Sequence, residues 1–191
     1  MRPATGFLKD SGIELNSDGG VICDPFLQTS VKDVFAAGDI ASHPYWPTGK
    51  RIRTEHWITS LNQGTYAAFN MMNKFVPYGL IPFFWSRFYN KGLHFVGTGA
   101  WKEVYITGDV SKGNFVAYYI NENDKVVSVA SMSNPKATLT FLEAMQQNVM
   151  PSGTQIKNGS ETWESVAGKL KQNTGGAKCQ RANCCQKKSI V

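Results

Sequence analysis

The stretch Val34-Phe35-Ala36-Ala37-Gly38-Asp39 (VFAAGD) sets the reading of this 191-residue chain. Its apolar residues narrow to small ones and end in a glycine and a carboxylate. The run reads as a short buried strand. Glycine at its end removes the Cβ that would hold a flat ligand away from the backbone. The aspartate that follows can accept hydrogen bonds from ligand hydroxyls, and open α/β sheets bind ligands at the carboxyl ends of their strands. Taken alone, these residues fit either a ligand site or an ordinary Gly-Asp turn.

Upstream, residues 7–9 suggest a helical turn, and Asn16-Ser17-Asp18-Gly19-Gly20 marks a turn before Val21-Ile22-Cys23. Downstream, a loop rich in Pro, Gly and aromatics leads to Thr54, read as a helix cap with Glu55 in the first turn. Trp57, Leu61, Gly64, Ala68, Met71 and Phe75 then recur at helical spacing as one apolar stripe, so a helix of about twenty residues is expected before Pro77 and Gly79. From Pro82 onward the pattern turns to β. Runs at 93–97, 103–107, 114–120 and 125–132 are separated by Gly108-Asp109, Lys112-Gly113 and residues 121–124, as in an antiparallel sheet. Pro135 opens a helix to about Asn148, and Trp163, Val166, Ala167 and Leu170 are spaced for another.

A hydrophobic fraction of 42%, with 12% aromatics, is enough for a folded core. The net charge of +6 sits mostly in one place. Residues 151–191 hold seven Lys and Arg against Glu161 and Glu164, which is five of the six charges. The body is therefore nearly neutral, and nothing in it calls for nucleic acid. No run approaches the roughly 20 apolar residues of a membrane span, and the first residues lack the apolar core of a secretory signal. Cys23 stands alone and Cys179, Cys184 and Cys185 cluster near the end, which is no disulfide framework and suits a reducing compartment.

Other motifs carry less. Gly97-Thr98-Gly99-Ala100-Trp101-Lys102 lacks the third glycine of a dinucleotide fingerprint and joins two β-like runs, so a hairpin-type connection is expected. The terminal cysteines have no fourth ligand nearby for zinc and read as free thiols. With their basic neighbours they offer a peripheral membrane contact. No metal site and no side-chain catalyst is expected.

Several short motifs then fall in a familiar order: Arg2-Pro3-Ala4-Thr5-Gly6-Phe7-Leu8, Gly12-Ile13, Gly20-Val21-Ile22, Gln28-Thr29-Ser30 and VFAAGD. Together with Glu55-His56-Trp57, Gln63-Gly64, Ala67-Ala68 and Pro82-Phe83-Phe84-Trp85-Ser86, the chain resembles the FAD-dependent pyridine nucleotide oxidoreductases. The branch is that of ferredoxin and rubredoxin reductases and apoptosis-inducing factor-like proteins, nearest the Rieske-bearing type, and the resemblance covers about residues 1–148.

The resemblance implies an α/β plus α+β chain. Residues 1–76 would form the second part of a discontinuous, Rossmann-like FAD-binding domain. Residues 80–148 would form the antiparallel-sheet C-terminal reductase domain, and 149–191 a flexible basic tail. Gly38 and Asp39 would hold the FAD ribityl chain. Glu55, His56 and Trp57 would place a helix N-terminus at the flavin's pyrimidine edge, and Trp57 and Trp85 would wall the ring, unless they are plain core packing. NAD(P)H would be the reductant, and a protein or small molecule the electron acceptor, in the cytoplasm or mitochondria. Arg87-Phe88 depart from the family, which often has an acidic residue and Gln there. No GxGxxG motif occurs for FAD or NAD, so the chain is expected to be a fragment, incomplete for catalysis alone. The alternative is a non-catalytic interaction module that pairs with a complete subunit or forms oligomers.

Overall fold

The computed structural model describes residues 2–174. After a short 3-10 turn at Gly6–Leu8, the first sheet has three strands: β1 (Val21–Ile22), β2 (Ala41–Pro44) and β3 (Arg51–Ile52). β1 runs parallel to β2, with Val21 opposite Ala41. β3 runs antiparallel to β2, with Ile52 opposite His43. Helix α1 (Trp57–Met71) follows.

The second sheet contains β4 (Phe83–Phe88), β5 (Lys91–Gly97), β6 (Glu103–Asp109), β7 (Asn114–Ile120) and β8 (Val126–Met132). It is antiparallel throughout, in the order β4-β5-β8-β7-β6. Helices α2 (Pro135–Gln146), α3 (Gly153–Lys157) and α4 (Trp163–Thr174) complete the described chain. The strands pack because their side chains alternate between two faces. Val96, Val129, Tyr118 and Val116 turn to the face on which α2 lies, and they share one core with Phe141, Ala144 and Met145. Phe141 meets the Tyr118 ring edge-on at 5.5 Å. Asn134 caps α2 by accepting from the Ala137 amide, and Pro135 occupies the first turn, where its missing N–H costs nothing.

Several expectations need correction. The VFAA run is not a ladder strand: Phe35 makes one isolated bridge to Gln28, and Val34 is exposed. A strand is defined by neighbours on its edges, and these residues lack a second one among the described residues. The regular strand, β2, begins after Asp39 rather than before it. Helix α1 starts later than a cap at Thr54 would place it and stops sooner than its apolar spacing suggests. Its cap is His56, not Thr54, and it ends at Met71, with Asn73 and Phe75 in the left-handed region (φ 57° and 52°). Asn70 turns the chain there, bonding the Phe26 and Val76 carbonyls and accepting from the Val76 amide.

The glycine run at 97–99 does not close a hairpin. β5 and β6 are separated by β8 and β7, so residues 98–102 cross between non-adjacent strands. Gly97 enters that crossing at φ 87°, and a Cβ there would collide with the Val127 carbonyl.

The flexible extension expected from 149 is also corrected, as far as Thr174. A capping box between Ser152 and Gln155 starts α3, and Ile156, Val166 and Leu170 bury in the same core as Phe141. Cys179, Cys184 and Cys185, and the membrane contact expected of the basic end, lie outside the described residues. Among the described residues, no helix is long and apolar enough to cross a membrane.

Candidate functional site

The Gly38-Asp39 pair sits in the turn that leads into β2. Gly38 takes φ 84°, a conformation that side chains resist, and its carbonyl accepts from the Ala41 amide at 2.9 Å. Its own amide donates to Gln63 Oε1 at 2.8 Å, deep inside the protein. Asp39 is exposed, and its carboxylate Oδ1 lies 3.1 Å from Ser60 Oγ. Ser60 Oγ also lies 3.1 Å from the His56 carbonyl, so one hydroxyl ties the aspartate to the first turn of α1.

Arg53 closes the other side. Its Nη1 donates to the Asp39 carbonyl at 2.9 Å and to Glu55 Oε1 at 2.6 Å, while Nε reaches Asp18 Oδ2 at 2.8 Å. These bonds to the guanidinium hold the Glu55 and Asp18 carboxyls below the usual carboxylate range and raise Arg53 further. Glu55 thus serves the guanidinium before any ligand.

His56 caps α1 with its ring: Nδ1 accepts from the Ile58 amide at 3.3 Å. The ring also rests on Phe84 of β4 with centroids 5.0 Å apart, which joins the start of the helix to the second sheet. Phe84 stacks in turn on Phe95, Phe95 meets Tyr119, and Tyr119 meets Trp101, so one face of that sheet is lined with rings.

The structure therefore gathers Gly38, Asp39, Glu55 and His56 at one edge. Trp57 and Trp85 are 76% and 61% exposed, which rules out core packing for either. Trp85 follows Phe84 along β4, and neighbouring strand residues face opposite sides, so it turns away from the face that His56 touches. Ser60 and Arg53 were not foreseen, and the sequence marks Gln63 only as part of the Gln63-Gly64 motif, without a role at the site. Ser60 and Gln63 lie four and seven residues beyond His56, the spacing of one helix face, and this could have marked them. A cavity of about 480 Å³, lined by Tyr45, Thr98, Lys125 and Met145 among others, touches none of the candidate residues. The edge at Asp39 is an open surface.

An FAD group fits what this edge presents. Asp39 offers an exposed carboxylate beside a glycine with no side chain. The fifteen-residue α1 points its N-terminal end, the positive end of the helix dipole, toward the same edge. The Gln63 Nε2 group, buried and without a partner among the described residues, marks polar structure left open behind that turn.

Residues 1–64 match the family model described as pyridine nucleotide-disulphide oxidoreductase. The chain is 38% identical over 133 residues to apoptosis-inducing factor 3 of Mus musculus, covering 69% of this chain and 22% of that one. It is 28% identical over 143 residues to the ferredoxin–NAD(+) reductase component of the anthranilate 1,2-dioxygenase system of Burkholderia cepacia, covering 74% of this chain and 35% of that one. Among solved structures, that of the covalent putidaredoxin reductase–putidaredoxin complex superposes with a TM-score of 0.75 at 20% identity, over 89% of this chain and 40% of that chain. The chain thus spans well under half the length of these relatives, and its fold is that of the reductases.

Proposed function

We propose, from the premise that this chain belongs to the pyridine nucleotide-disulphide oxidoreductase family, that it supplies one side of an FAD site in an NAD(P)H oxidoreductase. That activity passes electrons to a protein or small-molecule acceptor. Residues 1–76 are the second part of the FAD-binding domain, and residues from 80 onward are the C-terminal reductase domain. One observation carries this reading. A single hydroxyl, Ser60, joins the Asp39 carboxylate to the first turn of α1, so two separate sequence motifs meet at one edge.

When bound, FAD supplies the hydride and electron chemistry. The chain's own residues then act as follows. Asp39 accepts hydrogen bonds from ligand hydroxyls, and Gly38 leaves room for close approach. The α1 N-terminus stabilises negative charge beside it. Trp57, exposed beside the α1 N-terminus, gives apolar surface that keeps water from a flat ring, whereas Trp85 turns to the other face of β4 and takes no part in walling it. Glu55 acts through Arg53, which holds the Asp39 carbonyl. The pyrophosphate cradle, which in this family is a GxGxxG turn, has no counterpart in these 191 residues, so the chain by itself holds FAD weakly. The setting is cytoplasmic or mitochondrial.

Flavin titration of the purified chain, followed by FAD fluorescence, tests both parts. The expected result is saturable but weak binding that desalting removes. A yellow protein that keeps its flavin through desalting would overturn the incompleteness. No binding at millimolar FAD would overturn the site itself.

A second reading, an interaction module, is favoured by the outward face of α1, where Trp57, Leu61 and Met71 are all exposed. Exposed apolar stripes mark interaction surfaces. Light scattering across a concentration series should then show association that Leu61→Glu with Met71→Glu removes. A monomer at every concentration, with no binding to a complete subunit, argues against it.

A further inference from the structure

We propose that Gln63 is a positioning residue that holds the Gly38-Asp39 turn in its ligand-ready shape from inside the protein. The proposal rests on the reading of Asp39 as a cofactor ligand. Gln63 is 0% exposed and lies 25 residues from Gly38 in sequence, yet its side-chain oxygen takes the Gly38 amide at 2.8 Å. The amide's orientation follows from that bond: only an acceptor can face an N–H, so Oε1 faces Gly38 and Nε2 faces away. Nε2 then has no partner among the described residues.

A buried amide with half its bonding capacity unused is a poor way to stabilise a helix interface, since an apolar side chain would pack there at less cost. Its Oε1 has a specific task, because a turn residue at φ 84° has no strand ladder to satisfy its N–H. Ser60, three residues earlier on the same face of α1, holds the Asp39 carboxylate. Helix α1 therefore grips this turn twice: Gln63 fixes the backbone and Ser60 aims the side chain. Rotation of the Gly38 peptide would swing Asp39 away from the edge where the α1 N-terminus points.

Amide hydrogen exchange at Gly38, read by NMR on the full chain, tests this without any cofactor. In Gln63→Met, which keeps side-chain length and removes the acceptor, exchange at Gly38 should speed up about tenfold or more. Gln63→Glu keeps an acceptor oxygen and should restore much of the protection. Ala67→Gly, which weakens the same helix one turn further on, serves as the control of matched thermal stability and should leave Gly38 protected. Equal exchange in Gln63→Met and in Ala67→Gly at matched Tm would overturn the assignment. FAD titration of the same variants gives the second readout, with affinity about tenfold lower in Gln63→Met. If the unaltered chain binds no FAD, the proposed function fails, while the exchange data still decide the role of Gln63.

Discussion

The two sheets of this protein are finished to different degrees. The five-stranded sheet closes over α2, α3 and α4, and a single core runs from Val96 and Val129 through Phe141 to Leu170. Its helix buries what a helix is expected to bury: Ala137, Phe141, Ala144 and Met145. The three-stranded region does the reverse. Its core is divided between two small clusters, around Val21 and around Leu27. Helix α1 buries Thr59, Gln63 and Asn70 and exposes Trp57, Leu61 and Met71. Among the described residues, Ser42 Oγ, His43 Nε2 and Gln63 Nε2 are buried there without partners, against His94 Nδ1 in the second sheet. One region is shaped to stand by itself. The other has the character of a surface that something else covers, which the proposed reading accounts for by a cofactor and further protein.

The contrast breaks first if the second sheet proves soft. Phe141→Ala should cost about 3–5 kcal/mol, because a fully buried ring is replaced by a cavity. Chemical denaturation would measure this, and a loss below about 1 kcal/mol would mean that the core is not closed as described. In the other region the largest effect should appear in binding rather than in folding. Asp39→Ala should weaken FAD by about 1.5–3 kcal/mol, the worth of a hydrogen bond to a charged group, with Tm almost unchanged because the side chain is exposed.

His43 sharpens the comparison through pH. Burial, and then the nearby Arg51 guanidinium, hold the imidazole below its ordinary value of 6.5, against the hydrogen bond between Nδ1 and the Pro44 carbonyl. The Tyr78 ring meets it edge-on at 5.0 Å and brings no charge. The unfolded chain therefore takes up a proton near pH 6.5 that the folded chain refuses. Stability contributed by the neutral ring is complete above pH 6.5 and is lost as pH falls toward the lower folded value, by at most about 1.4 kcal/mol per pH unit. His43→Phe should flatten that slope in a series of melts at pH 5–7. An unchanged slope would place the titration elsewhere. The smallest effect belongs to the outward face of α1: Leu61→Glu should shift stability by no more than about 0.5 kcal/mol, since that side chain is already 55% exposed.

Much of the second sheet was legible in the order of residues. Alternating apolar runs, turn residues between them and Pro135 at a helix start are local signals, and local physics governs those strands. The candidate site was legible as chemistry, in the Asp39 carboxylate after a glycine and in Glu55-His56-Trp57 at a helix start. What could not be read was the direction in which α1 faces. Its period of 3.6 is the same whether the apolar stripe turns in or out, and only packing decides which side is covered. The sequence by itself thus determined four of the five strands of the second sheet and offered the residues proposed to meet a flavin. Tertiary structure alone decided that Ser60, Gln63 and Arg53 converge on Gly38-Asp39. Those contacts span from 14 to 25 residues of sequence, and no local preference encodes them.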